Sequence, residues 1–225
     1  MATYSTSSGN PFAAMRIPTS PVAVSDEDVR QWREERAAER RALRIARSGI
    51  PPRFRADGIA ADMAAPVREW TRDVLAGRPR NLVLQGRAGC GKTHQACAAL
   101  LECANARPVA FATFGDVLRA VRATYGGAGS EGGALAAYRD ASVLCVDDLG
   151  KERPTADALE KLFALVDYRY SRLKATIYTT QYDQPSLGRR LMAEGGDYEQ
   201  ASAIIRRVYE GASVVDVEKL KGVTR

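Results

Sequence analysis

Residues 81–96, NLVLQGRAGCGKTHQA, restrict the possible folds more than any other stretch of the chain. Within them, Gly86 to Thr93 satisfies G-x-x-x-x-G-K-[ST]. That pattern works only with a buried strand before it and a helix after it. Both are written in the flanks: NLVLQ is a short apolar run, and THQACAALLECAN is rich in helix formers. Gly86, Gly89 and Gly91 let the backbone bend so that successive N–H groups point at one anion. The following helix adds its positive end. Gly86, Arg87, Ala88, Gly89, Cys90, Gly91, Lys92, Thr93 and His94 are therefore the expected phosphate loop of a nucleotide site. Lys92 is placed to reach the β- and γ-phosphates, and Thr93 to offer its hydroxyl to Mg²⁺. His94 stands at the helix start, where packing or solvent contact suits it better than chemistry.

Such a site needs an acid for the metal. VLCVDD supplies one in the expected form, an apolar strand ending in carboxylates at its C-terminal edge, where open α/β sheets bind ligands. Asp147 is expected to be the metal acid. Asp148 occupies the place of a water-activating carboxylate. Many ATPases of this type carry glutamate there, and aspartate retracts the carboxylate by about 1.5 Å. Slow intrinsic hydrolysis is expected. Glu152 is a weaker substitute base.

Elsewhere, apolar runs predict strands at 108–114, 142–148, 175–181 and 213–217, beside the one at 81–85. Helical patterns fall at 62–76, 93–105, 115–125, 154–173 and 201–211. IPPRFR (50–55) reads as an extended connector, because proline biases its predecessor away from the helical region. GGAGSEGG (126–133) reads as a flexible loop. Strands that are apolar without alternation, interleaved with helices, imply an α/β fold with a central, mostly parallel sheet flanked by helices.

Three parts are expected. Residues 1–24, rich in Ser, Thr, Pro and Ala, form a disordered tail. Residues 25–48 form a short charged N-terminal helix, opened by Ser25 and Asp28 as a capping box and closed by Gly49 and Pro51. Its apolar positions are sparse, which makes it a candidate partner-docking element with Trp32 as anchor. Residues 49–225 form the nucleotide-binding domain.

Composition narrows the classes. Of 225 residues, 45% are hydrophobic and 27% charged, enough for a packed core. No apolar run approaches the ~20 residues a membrane helix needs. Cys90, Cys97, Cys103 and Cys145 lack metal-ligand spacing, and His94 is the sole histidine, so no zinc site is expected. Reduced cysteines suit a cytoplasmic protein. The net charge of +6 is compatible with a polyanionic partner such as nucleic acid.

The stretches SGIPPRFR, GRAGCGKTH, FATFGDVLRAVRATY, VLCVDDLGKERPT, DYRY, TTQYD and AIIRRVYEGASVVDV follow one another as in the DnaC/DnaI/IstB group of AAA+ ATPases. The chain resembles that group over about residues 48–225. The resemblance implies an AAA+ fold, ATP with Mg²⁺, and ATPase activity that is slow without partner and DNA. It places Gln181 at the strand end where the group usually has asparagine to contact the γ-phosphate or attacking water. It makes Arg207 the arginine finger that serves a neighbouring subunit's ATP, so that self-association completes the site, with Arg206 as second choice. It lays the helix from Asp116 to Tyr125 along a nucleic-acid channel, with Arg119 and Arg122 as contacts to single-stranded DNA. Lys174 and Arg169 are weaker candidates. The activity implied is ATP-dependent loading of a replicative helicase hexamer in replication initiation. The other activity within the group is that of an IstB-like transposition helper, which recruits a transposase to DNA.

Overall fold

The computed structural model describes residues 25–56, 58–126, 130–151, 155–192 and 198–221. The expected tail at 1–24 and Glu152 lie outside them. Two units are distinguished, one up to Arg36 and one over Ala37–Arg225.

The first unit carries the N-terminal half of helix α1 (Asp26–Arg47), which has no buried residue. The capping box is present: Asp28 N–H donates to Ser25 Oγ at 3.1 Å, and Ser25 N–H donates to Asp28 Oδ2 at 3.1 Å. Trp32 is 59% exposed, with the Arg36 guanidinium 5.6 Å from its ring. In the second unit, Arg44 Nη1 donates to the carbonyls of Ala104 and Asn105, both at 3.0 Å. These carbonyls lie just past the end of helix α3 (Lys92–Cys103), where a cation is favoured.

Between them come helix α2 (Ala65–Leu75) and strand β1 (Leu82–Gln85). After α3 follow β2 (Val109–Thr113), α4 (Phe114–Arg122), α5 (Glu131–Asp140) and β3 (Val143–Leu149). The chain continues with α6 (Ala156–Ser171), β4 (Ala175–Thr180), α7 (Gln184–Met192), α8 (Tyr198–Tyr209), β5 (Ser213–Asp216) and α9 (Val217–Lys221). All five expected strands form. They make one parallel sheet in the order β2-β3-β4-β1-β5. Helices cover both faces, which is why these strands are apolar on both sides. One core packs α2 and α3 on the sheet through Trp70, Leu82, Leu84, Leu100 and Ile177. The other packs α4 to α8 through Val117, Leu144, Leu162, Tyr178 and Ile204.

Three local readings change. IPPRFR is not extended throughout: Pro52–Phe54 closes a 3-10 turn, because Pro51 and Pro52 supply the φ that such a turn needs. The expected 62–76 helix splits into a 3-10 turn, Ile59–Asp62, and α2, with Pro66 at its start. Helix α5 begins inside the glycine-rich stretch expected to be a loop, where Ser130 Oγ caps it by accepting from Gly133 N–H at 3.1 Å. Glycine content hid a good N-cap.

Edge strand β2 is covered by the segment entering from α1. Phe111 N–H donates to the Ser48 carbonyl at 2.6 Å. Gly49 has φ +78°, and a Cβ there would collide with the Phe111 carbonyl. Only glycine allows the segment to lie this close to the edge.

Candidate functional site

Strand order decides what meets at the C-terminal edge of the sheet. β4 lies between β1 and β3, so the ends of all three converge. β1 runs into the phosphate loop. Gly86, Gly89 and Gly91 take φ of +140°, +77° and +104°, as expected for inward N–H groups. Space is open where a Cβ of Gly89 or Gly91 would stand. Lys92 is buried, and its Nζ donates to the carbonyls of Gly86 at 2.6 Å and Arg87 at 2.8 Å. It thus lies folded against the loop that it would serve.

β3 delivers the two acids. Its register with β4 shifts between Val146 and Leu149. The irregularity turns Asp148 off the strand at φ +58°, a region that aspartate tolerates better than most residues. Asp147 stays inside. Thr93 Oγ1 lies 3.1 and 3.2 Å from its two oxygens, and Thr179 Oγ1 donates to Oδ1 at 2.6 Å. Burial pushes the Asp147 carboxyl above the usual range, against the Thr179 and Thr93 hydrogen bonds and the Lys92 charge. A hydroxyl and a carboxylate side by side are hard oxygen donors of the kind Mg²⁺ takes when nucleotide phosphates complete its shell. Among the described residues, no group of three or more His, Cys, Asp or Glu could hold a metal by itself. The donors present fit Mg²⁺ with a nucleotide and fit no protein-only cage.

Asp148 faces the cleft. Its backbone N–H donates to Thr179 Oγ1 at 2.9 Å, and its Oδ2 accepts from Lys151 Nζ at 2.9 Å. The cleft has a volume of about 410 Å³. Ala88, Gly89, Gly91, Lys92, Thr93 and His94 line it on the loop side, and Asp148, Lys151 and Gln181 on the far side. Arg53 and Phe54 also line it. The Arg53 guanidinium lies 4.5 Å from the Phe54 ring, and His94 meets that ring edge-on at 6.2 Å. His94 Nε2 lies 3.2 Å from Asp62 Oδ2. So His94 packs, as expected, and it also lines the cleft.

Other expected residues lie elsewhere. Asn81 Nδ2, at the root of β1, donates to the carbonyls of Arg207 and Val208. At about 3.3 Å per residue, Arg207 therefore lies roughly 17 Å along β1 from its own phosphate loop, farther than an arginine reaches. Arg119 and Arg122 are exposed on α4, paired with Asp116 and Asp157 respectively. Arg169 is a correction. It is 1% exposed and donates to Thr176 Oγ1 and to the carbonyls of Tyr138, Arg139, Ala141 and Ala175. Burial lowers its pKa to about 10. It binds this protein's own backbone and is closed to DNA. Lys174 Nζ donates to the Asp140 carbonyl at 3.0 Å.

Sequence reasoning missed several residues. Thr179 holds both acids and sits in the TTQ stretch, where a threonine facing the strand of acids was a usable signal. Lys151 and Phe54 also stand in quoted stretches. Glu218 carried no local signal. Its carboxylate accepts from the Arg87 backbone N–H and from Arg87 Nε at 3.1 Å. It arrives there because β5 pairs with β1, Asp216 opposite Gln85.

A phosphate loop on β1, acids on β3 and a polar strand end on β4 between them define a P-loop ATPase of the AAA+ class. The parallel sheet flanked by helices is that of this class, and the sequence places it further. The chain belongs to the family of IstB-like ATP binding proteins, whose profile matches residues 68–221. Its fold is similar to that of DnaI, with 23% identity, a TM-score of 0.62, and coverage of 75% of this chain and 95% of that one. It is similar to the DnaC helicase loader at 22% identity and a TM-score of 0.57, over 74% of this chain and 100% of that one. It also resembles the replication initiator DnaA bound to AMPPCP and single-stranded DNA, at 18% identity and a TM-score of 0.58, over 74% of this chain and 50% of that one. No curated protein matches the chain significantly. Among the described residues, no helix is long and apolar enough to cross a membrane.

Proposed function

We propose that this ATPase loads a replicative DNA helicase, acting in the cytoplasm as an oligomer on single-stranded DNA during replication initiation. The observation that carries the reading is α1, a helix with no buried residue and an exposed Trp32, on the same chain as the nucleotide cleft. Contacts to the rest of the chain come from the C-terminal part of the helix, through Arg41, Arg44 and Ile45, so the part that carries Trp32 is open to another use, and partner docking is the use its anchor suits. The full-length coverage of the DnaC helicase loader supports the same direction.

In this reading, Thr93 and Asp147 hold Mg²⁺, and ATP supplies the phosphoanhydride bond that water breaks. Lys92 leaves the loop carbonyls for the phosphates. Asp148, released from Lys151, accepts the proton of the attacking water, and Gln181 orients that water. Arg207 acts on the ATP of a neighbouring subunit, since its own lies out of reach. Arg119 and Arg122 exchange their carboxylate partners for DNA phosphates, which surface ion pairs of this kind scarcely oppose. Assembly then sets the rate, because a finger contributes on the order of 10³–10⁵ in related enzymes.

The test is helicase loading onto single-stranded DNA by wild type and Lys92→Ala, at saturating helicase. The reading requires loading to be lost with Lys92→Ala. Loading at the full rate would refute it. Duplex preference without helicase affinity would favour the transposition helper.

A further inference from the structure

Residues 167–170, DYRY, play no part in the ATP cleft, yet each side chain is engaged. Arg169 clamps the backbone between α5 and β4, as described. The Tyr168 hydroxyl donates to Asp140 Oδ1 at 3.0 Å. Asp167 and Tyr170, three apart on one face of α6, meet α8 instead. Asp167 Oδ1 accepts from Arg207 Nε at 2.8 Å. The Arg207 guanidinium lies 5.0 Å from the Phe163 ring, one turn back along α6, and 5.7 Å from the Tyr170 ring. Arg207 Nη1 donates to the Ala203 carbonyl at 3.2 Å. The Tyr170 hydroxyl donates to Glu210 Oε2 at 2.8 Å, which ties that ring to the turn just past the arginine's helix.

One guanidinium is thus held by a carboxylate, two aromatic faces and a carbonyl. Its backbone is pinned to the root of β1 through Asn81. Nε and Nη1 are used, and Nη2 makes no hydrogen bond among the described residues. Charge alone does not explain this arrangement, because a surface ion pair needs no second and third partner. It suits a group that must point one way before its target arrives, so that ordering does not have to accompany the reaction.

We propose that Asp167, Phe163 and Tyr170 form a cradle that presents Arg207 to the ATP of the neighbouring subunit, with Asp167 as the positioning residue. This rests on Arg207 acting in trans. Asp167 touches no nucleotide. It acts by fixing the guanidinium plane while the outer edge stays available. In Asp167→Asn the amide oxygen can still accept from Nε, so that variant keeps the geometry and loses the charge.

The experiment is steady-state ATP hydrolysis by the full chain with single-stranded DNA, at protein concentrations rising through assembly. Wild type is compared with Asp167→Ala, Asp167→Asn, Arg207→Ala and the double alanine variant, with assembly mass followed by light scattering. Asp167→Ala is expected to lower kcat by about ten- to a hundredfold, with KM for ATP and assembly mass unchanged. Asp167→Asn is expected to restore most of the rate. In the Arg207→Ala background, Asp167→Ala is expected to cost nothing further, an outcome that a merely structural residue would not give. If Asp167→Ala fails to fold, Phe163→Leu is expected to show the same kcat loss in smaller degree. A wild-type or raised kcat in Asp167→Ala, beside an inactive Arg207→Ala, overturns the cradle and leaves the finger standing. An unchanged kcat in Arg207→Ala overturns the finger itself, and the cradle with it.

Discussion

Asp147 and Asp148 are neighbours with opposite surroundings, and that difference suits the two roles proposed for them. Asp147 is 6% exposed, with its carboxyl raised by burial. A raised folded pKa means that the folded chain binds the proton more tightly than the unfolded one. Stability of the free protein therefore rises as pH falls from the raised value towards the ordinary 3.8, and the burial cost is at its full size above that window. Asp147→Asn should raise the melting temperature at neutral pH and flatten this part of the pH profile, while abolishing ATP hydrolysis. Differential scanning calorimetry from pH 4 to 8 checks it. Magnesium-dependent ATP affinity should weaken as pH falls through the same window, because the metal acid must be ionised. Asp148 lies open to the cleft. Asp148→Asn should leave ATP affinity within twofold and lower turnover by about 10²–10⁴, as loss of a general base does. Titration with a fluorescent ATP analogue beside the turnover assay separates the two effects.

At the scale of elements, Arg169 ties α6 to the end of α5 and the start of β4. Arg169 donates to four backbone carbonyls, those of Ala141 and Ala175 in fully buried bonds. Arg169→Ala leaves them without donors and should destabilise the domain by about 3 kcal/mol or more, measured by urea unfolding. Most elements could be read from the chain because their signals are local. Strands β1 to β5 are apolar runs of buried-strand length, and α1 announces itself by a cap and a charge gradient. The phosphate loop and Asp147 were legible because their spacing is their mechanism. What could not be read depends on pairing across the fold. The bulge that frees Asp148, the Thr179 hydroxyl between the acids and the Glu218 bond to the loop all follow from strand neighbours. Arg169 looked like a surface cation because its sequence neighbours are polar, and only the meeting of α5, α6 and β4 buries it. The four cysteines carried no metal spacing. Cys97 and Cys103 are buried, which pushes both thiols up to about 12 and leaves them unreactive.

On the scale of the whole molecule, the ATP cleft and Arg207 stand at opposite ends of β1. In the proposed function, that separation distributes the catalytic parts for use between copies and leaves α1 for a partner. The central claim is that ATP brings such copies together on a replicative helicase. The measurement that tests it most directly is the mass of the mixture of this protein with the replicative helicase of its host. Light scattering after size exclusion would be read with ATP, with ADP and without nucleotide. The account predicts a defined complex with ATP that disappears when residues 25–48 are removed. Equal absence of a complex in all three conditions would contradict it.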